Sequence, residues 1–353
     1  DKTEPMTRNL FLTLSLVLPA VAGANPFIVK DGEARAEIVL AEDAPRSTRF
    51  AARDLQVYLE KMSGAKLAVV SESSGKGLVK LFVGESAGTQ ALKLSAEGLE
   101  HGAYRLVSGS DWLAFLGDDT DFVPKEPWAK NNRDRVTGKY QREWEKASGT
   151  SFGVPNGGMY KNRERMPAEL TREPDERYWT FDERGSFNAV CGFLKQLGVR
   201  WYLPGELGEV VPRRKTIALP KLDTIVKPDF PLRQFNVRFS TASDPTTMWM
   251  MRLGTRNPYG LMVAHGMHTM THNEYILKNH PDWFALYGGK RAIKRGERLN
   301  HLCYSNPELF KATVKWARAQ FDVYDYTSVS IMPPDAYGSI CQCDLCEGKQ
   351  IDE

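Results

Sequence analysis

Apolar residues recur at helical spacing between residues 47 and 64, where Leu55, Tyr58, Leu59 and Met62 fall on one face. Ser47 stands at a cap position before them, and Gly64 follows where a C-terminal cap belongs. Around this amphipathic helix lie short apolar runs bounded by Gly, Ser or Asp, at Leu67–Val70, Leu78–Val83, Tyr104–Val107 and Trp112–Leu116, which read as strands. A second helix is predicted over Phe187–Leu197. It ends at Gly198 and runs into the aromatic stretch Trp201-Tyr202-Leu203-Pro204. Together these elements predict a small α/β sandwich.

Two stretches interrupt that grammar. Between Gly117 and Tyr178 the periodicity vanishes, and charged residues mix with Trp128, Tyr140, Trp144 and Tyr160. The reading is a long insertion at about 118–177, whose aromatics either stack on sugar rings or anchor the loop, with anchoring preferred. The Pro-punctuated segment Pro220–Pro231 then reads as a linker closing an N-terminal domain of residues 25–228. After Pro231 short strand candidates alternate with helices, at Leu232–Val237, Leu261–Ala264, His301–Tyr304 and Ser328–Met332. That alternation predicts the first half of a (β/α)8 barrel over 229–353, incomplete at Glu353. Its clearest helix follows Asn306 as cap and Pro307 in the first turn, with Phe310, Val314, Ala317 and Phe321 as its apolar face.

Composition narrows the class. With 47 basic and 44 acidic residues, a net charge of +3 and no Lys/Arg-rich stripe, the chain is not built for nucleic acid. Residues 6–24 read as a signal peptide: Arg8 before the apolar run Leu10–Ala22, then Ala22-Gly23-Ala24 as a cleavage site. That run is too short to span a bilayer, and no later stretch is longer, so a secreted or periplasmic location without a membrane span is expected. Among the five cysteines, Cys191 and Cys303 stand apart, while Cys341, Cys343 and Cys346 form C-x-C-x-x-C. A three-thiolate zinc site lacks a fourth ligand nearby in the sequence. A disulfide or a plain loop staple is therefore preferred, and no metal or cofactor is assigned.

Several motifs in fixed order carry a family resemblance. They are His268-Thr269-Met270, Asn279-His280-Pro281-Asp282-Trp283-Phe284-Ala285-Leu286, Leu302-Cys303-Tyr304-Ser305-Asn306-Pro307-Glu308, and Ser328 through Gly338 followed by the cysteine cluster. The series resembles domain-of-unknown-function family 4838, part of which is classified as glycoside hydrolase family 163. Upstream, Ala52-Arg53-Asp54-Leu55-Gln56 through Gly64, and Leu197 to Tyr202 with Gly205-Glu206, are similar to the α/β domain that precedes the barrel in such proteins and in α-glucuronidases. The resemblance implies a barrel enzyme acting on glycans or glycoproteins, with endo-β-N-acetylglucosaminidase activity in characterised members. Where an Asn-Asp-Gly is common in the family, this chain has Pro334-Asp335-Ala336.

Reacting groups of barrel enzymes sit just past strand ends, and Asp335 follows the fourth strand candidate, which makes it the candidate catalytic residue. It fits a carboxylate that orients a substrate acetamido group or transfers a proton, and equally an Asp that fixes a turn. His265, His268 and His301, with Asn236 and Arg238 after the first strand candidate, are candidates for sugar-hydroxyl contacts, and Tyr337 offers an aromatic face. His280, Pro281, Trp283 and Phe284 are read as architecture. Two other classes stay open: a non-catalytic glycan-binding or surface-assembly protein of the same fold, and a metal-binding module centred on the cysteines.

Overall fold

The computed structural model describes residues 26–122, 132–150, 164–165, 178–179, 181–234, 244–256, 266–267, 271, 273–291, 301–324, 329–333 and 340–349. The expected signal peptide lies outside them. The chain opens with β1 (Phe27–Lys30), β2 (Glu33–Ala34) and β3 (Ala36–Val39), followed by α1 (Arg46–Ser63), β4 (Ala68–Val70), β5 (Val79–Val83), α2 (Ala87–Ala91), β6 (Tyr104–Ser108) and β7 (Trp112–Gly117). Then come α3 (Asn132–Thr137), α4 (Gln141–Ser148), the paired β8 (Glu164–Arg165) and β9 (Tyr178–Trp179), α5 (Gly185–Gln196), the paired β10 (Arg200–Trp201) and β11 (Glu209–Val210), β12 (Ile217–Ala218) and β13 (Asp223–Val226).

A six-stranded sheet in the order β13-β6-β7-β5-β3-β4 organises the N-terminal part. The ladders β4–β3, β3–β5 and β5–β7 are parallel, whereas β7–β6 and β6–β13 are antiparallel. Strand alternation sorts its side chains onto two faces. Ile38, Leu81, Val83, Leu106, Leu113 and Phe115 pack with Phe50, Leu55 and Leu59 of α1 and Phe187, Val190, Phe193 and Leu194 of α5. Val39, Phe82, Val107, Ala114 and Leu116 face the other way, onto Leu99 and Ala103. The predicted α/β layering is therefore present as a mixed sheet.

The differences from the sequence reading have local causes. Strand β3 has no clean alternation because Glu37 is buried in it at 2% exposure. The Ser73 hydroxyl at 2.7 Å and the Ser74 amide at 3.0 Å donate to its carboxylate. Burial works against that charge, but these donors outweigh it and hold the carboxyl below its usual range. Ser47 does not cap α1: the cap position is two residues earlier, at Pro45, and the Asp121 carboxylate accepts the Arg46 amide at 3.0 Å. Gly64 does close the helix, at φ 83°, with its amide donating to the Glu60 carbonyl. The segment read as a linker contributes β13, an exposed edge strand paired with β6. Within the stretch read as aperiodic, α3 and α4 form, and Trp144 is buried at 1% exposure, as an anchor would be. Trp128 and Tyr160 lie outside the described residues.

Two glycines set how closely α5 approaches the sheet. A Cβ on Gly117 or Gly185 would overlap the other's backbone, and the Gly185 amide donates to the Asp118 carbonyl at 2.7 Å. The Asp119 carboxylate then accepts the Ser186 amide at 2.9 Å, satisfying one of the unpaired donors of the helix start.

The described residues contain no closed barrel. Of the four barrel-strand candidates, Arg233 and Leu302 each make a single antiparallel bridge, to Arg256 and Phe284, and residues 329–332 have no ladder. The remaining candidate, 261–264, lies outside the described residues. A parallel strand needs a neighbour running alongside, and among the described residues these runs meet an antiparallel partner or none. The elements observed after β13 are α6 (Asp244–Arg252), α7 (Glu274–Asn279), the hairpin β14 (Leu286–Tyr287) and β15 (Lys290–Arg291), and α8 (Pro307–Tyr324).

Helix α6 is sewn onto the N-terminal core. Met248 and Met251 join the cluster under α1. Arg252, 7% exposed at its side chain, binds the fully buried Asp54 at 2.8 and 3.3 Å and Glu209 at 3.1 Å. The guanidinium also lies over the Tyr58 and Trp201 rings, at 5.1 and 5.8 Å. Tyr58 donates to Glu209 at 2.5 Å and accepts from the Trp201 indole at 2.7 Å. Arg252→Met should therefore cost about 3–5 kcal/mol by stranding Asp54 without its cation, whereas an Asp54→Leu/Arg252→Met double variant should recover much of the loss. Urea unfolding midpoints of the four proteins in the cycle test this. Equal losses in the single and double variants would contradict it.

Candidate functional site

The C-terminal part is built around the motif that starts at Asn273. The Asn273 side chain accepts the Tyr275 and Ile276 amides at 3.0 and 3.1 Å, capping α7. The chain then turns through Pro281–Trp283, where the His280 ring stacks on Trp283 with centroids 3.9 Å apart. Trp283 and Phe284 are buried with Ile276, Leu277, Leu302, Leu309 and Trp316. The motif is thus architecture, as expected, but it packs α7 against α8 and the Leu302 bridge. Helices of the insertion reach the same place: Tyr275 donates to Glu145 at 3.0 Å, and Thr150 to the Ala312 carbonyl at 3.1 Å.

Asn306 caps α8 as predicted, accepting the Glu308 and Leu309 amides at 2.9 and 3.1 Å. The buried face of α8 is not the expected one. Leu309, Ala312, Trp316 and Ala319 point inward, while Phe310, Val314 and Phe321 are exposed. Both stripes have helical spacing, and the indole of Trp316 fills the core under Trp283 and Leu302.

Beside this small core four thiols converge. Cys303 sits on the bridge strand, its amide donating to the Trp283 carbonyl at 2.7 Å, while the neighbouring Ala285 amide donates to the His301 carbonyl at 2.8 Å. The segment carrying Cys341, Cys343 and Cys346 lies along β14. The Gln342 amide donates to the Leu286 carbonyl at 2.8 Å, and the Gln342 side chain accepts the Gly288 amide at 2.7 Å. The sulfurs of Cys303, Cys341, Cys343 and Cys346 all lie within 4.8 Å of one another and are buried. Cys303 Sγ is 3.5 Å from Cys343 Sγ and 3.6 Å from Cys346 Sγ, and none of the five cysteines is in a disulfide.

A backbone amide is aimed at one of these sulfurs. The Leu286 amide donates to Cys341 Sγ at 3.2 Å. Burial works to raise the Cys343 thiol, but hydrogen bonds from Cys341, Cys303 and the Leu345 amide outweigh it and bring it down to about 7. Burial pushes Cys303 and Cys341 up. The preferred disulfide is not present among these thiols, and the fourth sulfur missing from the local sequence is Cys303. Cys191, 3% exposed in the core of the N-terminal sheet, stays apart.

Of the predicted site residues the structure describes His301, which is partly buried on the bridge strand two residues before Cys303; burial pushes its imidazole below the ordinary value. Asp335, His265, His268, Asn236, Arg238 and Tyr337 lie outside the described residues. The segments next to several of them are described, and they touch. The Met267 amide donates to the Met332 carbonyl at 3.2 Å, and Gly266 lies so close to the Ser330 carbonyl that a Cβ there would overlap it. In the sequence His265 and His268 flank the first segment, and Asp335 comes three residues after the second.

Residues 203–353 match the model of DUF4838, a domain of unknown function. The DUF4838 match takes in the four cysteines, the His280–Leu286 motif and the Met267–Met332 contact. No curated protein matches the chain. Among solved structures, a family GH115 4-O-methyl-α-glucuronidase with specificity for decorated arabinogalactans is similar at 12% identity and a TM-score of 0.33. That alignment covers 58% of this chain and 19% of the enzyme, a likeness too slight to argue from. No described helix is long and apolar enough to cross a membrane.

The Asn306 amide group joins the α8 cap to the motif turn, donating to the Asp282 carbonyl at 3.2 Å and its carboxylate at 3.0 Å. Asn306→Asp keeps the cap acceptor but sets a second carboxylate against Asp282, so it should destabilise by about 1–3 kcal/mol at pH 7. Protonating the introduced acid relieves the repulsion, so this deficit should shrink as pH falls through the carboxylate range. Thermal melts of wild type and variant across that range test the expectation, and a deficit independent of pH would contradict it.

Proposed function

We propose that this chain is part of an exported glycoside hydrolase acting on N-acetylglucosamine-containing glycans, of the family 163 type, with Asp335 as a catalytic carboxylate. The observation that carries the reading is the contact of Gly266–Met267 with Ser330–Met332, because it joins the two segments that lead in sequence to His265, His268 and Asp335. The DUF4838 match over the same residues supports it, since the motifs from His268 to the cysteine cluster fall within that match. Residues 6–24, read as a signal peptide, support export.

In this reading the 2-acetamido oxygen of the substrate attacks its own anomeric carbon while a second acid protonates the departing glycosidic oxygen. Asp335 orients the acetamido group and offsets the positive charge that develops on it. Histidines beside it hydrogen-bond sugar hydroxyls. Asp335→Asn in the full-length protein should then lower kcat a hundredfold or more while leaving glycan binding intact, as measured on a panel of glycoprotein glycans. Wild-type turnover in a folded variant would remove Asp335 from the chemistry. Binding without turnover by the wild-type protein would instead favour a glycan-binding role for the same fold.

A further inference from the structure

We infer that Cys303, Cys341, Cys343 and Cys346 form a structural tetrathiolate zinc site that staples the C-terminal segment to the β14 hairpin and the start of α8. Geometry separates this from the alternatives. Four sulfurs placed tetrahedrally at about 2.3 Å from a zinc ion are about 3.8 Å from one another. The pairs at 3.5 and 3.6 Å, and a cluster with every separation within 4.8 Å, fit that spacing. A disulfide brings two sulfurs to about 2.05 Å and leaves the others out. Here Cys303 is shared between two partners, which one covalent bond does not satisfy.

The surroundings also suit anionic sulfur. The Leu286 amide donates to the Cys341 sulfur at 3.2 Å, where it stabilises a thiolate and does little for a neutral disulfide. The four side chains are 1–8% exposed, so no position is left open to water or substrate, as in a closed structural site. Their partners are apolar: Ala285 packs in the same cluster, with Leu286 and Tyr287 against it. Zinc suits such a site because it imposes no geometric preference of its own and carries no redox change.

The staple acts on parts of the chain that are far apart in sequence. Cys303 begins the turn into α8, through the Asn306 amide on the Cys303 carbonyl at 2.9 Å. Cys341, with Gln342, fixes β14, and the turn Asp344–Cys346 presents the last thiol. Lys349 reaches back to the Ser305 hydroxyl at 3.2 Å and closes the arrangement. The inference stands on these contacts and does not depend on any catalytic role for Asp335.

The test uses the full chain purified without chelator or reductant. Metal analysis should find one zinc per chain. A mercurial reagent titrated into the native protein should release that zinc in step with four thiols. Stripping the metal with a strong chelator should lower the melting temperature on the order of 10 °C or more, and zinc should restore it. Cobalt put in its place should show the intense visible bands of tetrahedral thiolate coordination. Cys191→Ser should leave all of this unchanged, and Cys343→Ser, if it folds, should lose the metal. If Cys343→Ser fails to fold, the cobalt spectrum and the zinc–thiol stoichiometry of the wild type decide alone. Disulfides in place of free thiols, five thiols without metal after incubation with zinc, or bound iron would each overturn the assignment.

Discussion

Arg252 carries the only side-chain charge that α6 sends into the core beneath α1 among the described residues, and the rest of the fold is arranged to keep it there. A buried guanidinium is tolerable only where anions and donors replace its water. Asp54 supplies one carboxylate from the middle of α1, and Glu209 supplies the other from β11. Tyr58 and Trp201 close the shell with their rings and spend their own polar atoms inside it. Through these five residues α1, the β10–β11 pair and α6 take one relative position, so the segment after the sheet begins already docked. Arg256 extends the same logic by pairing with Glu183 just before α5.

The C-terminal part faces the opposite shortage. Its core is a handful of side chains around Trp283, Phe284 and Trp316, and its only described ladder besides single bridges is the two-residue hairpin of β14 and β15. Short two-stranded pairings are marginal on their own. Burial of so few residues leaves little surplus over the entropy of ordering the chain, the situation in which small domains use disulfides or metals as staples. Convergence of four thiols on that hairpin fits this need. Helix α4 and the turn after it add to it from outside, through Glu145 and Thr150. The insertion thereby serves the part of the chain that follows it more than the sheet it interrupts.

The sheet was legible where side chains alternate or terminate in the ordinary way. β5, β6 and β7, together with α1, α5 and the Gly64 cap, were read within a few residues because their burial follows period and turn chemistry. β3 was not, since Glu37 breaks its pattern and its cost is met by Ser73 and Ser74, which lie beyond any local window. Ser47 and Asp121 show the same limit: the chain has a suitable local cap, and a distant carboxylate takes the role. The inward face of α8 was misread because two adjacent stripes satisfy the helical period. Trp316 offered the one available clue, as the largest apolar side chain on the helix.

For the cysteines the difficulty was distance along the chain. C-x-C-x-x-C announces three ligands, and a search for the fourth nearby fails because Cys303 lies 38 residues before Cys341 on the far side of α8. What brings them together is the pairing of Phe284 with Leu302, which places Cys303 beside Ala285 and hence beside the segment bound to Leu286. The buried motif His280–Leu286 is therefore the platform of the thiol cluster as well as the core of its surroundings. A residue can be architecture in its own contacts and still decide where a site forms. Trp283 and Phe284 do both, since moving either would shift the bridge on which Cys303 rides.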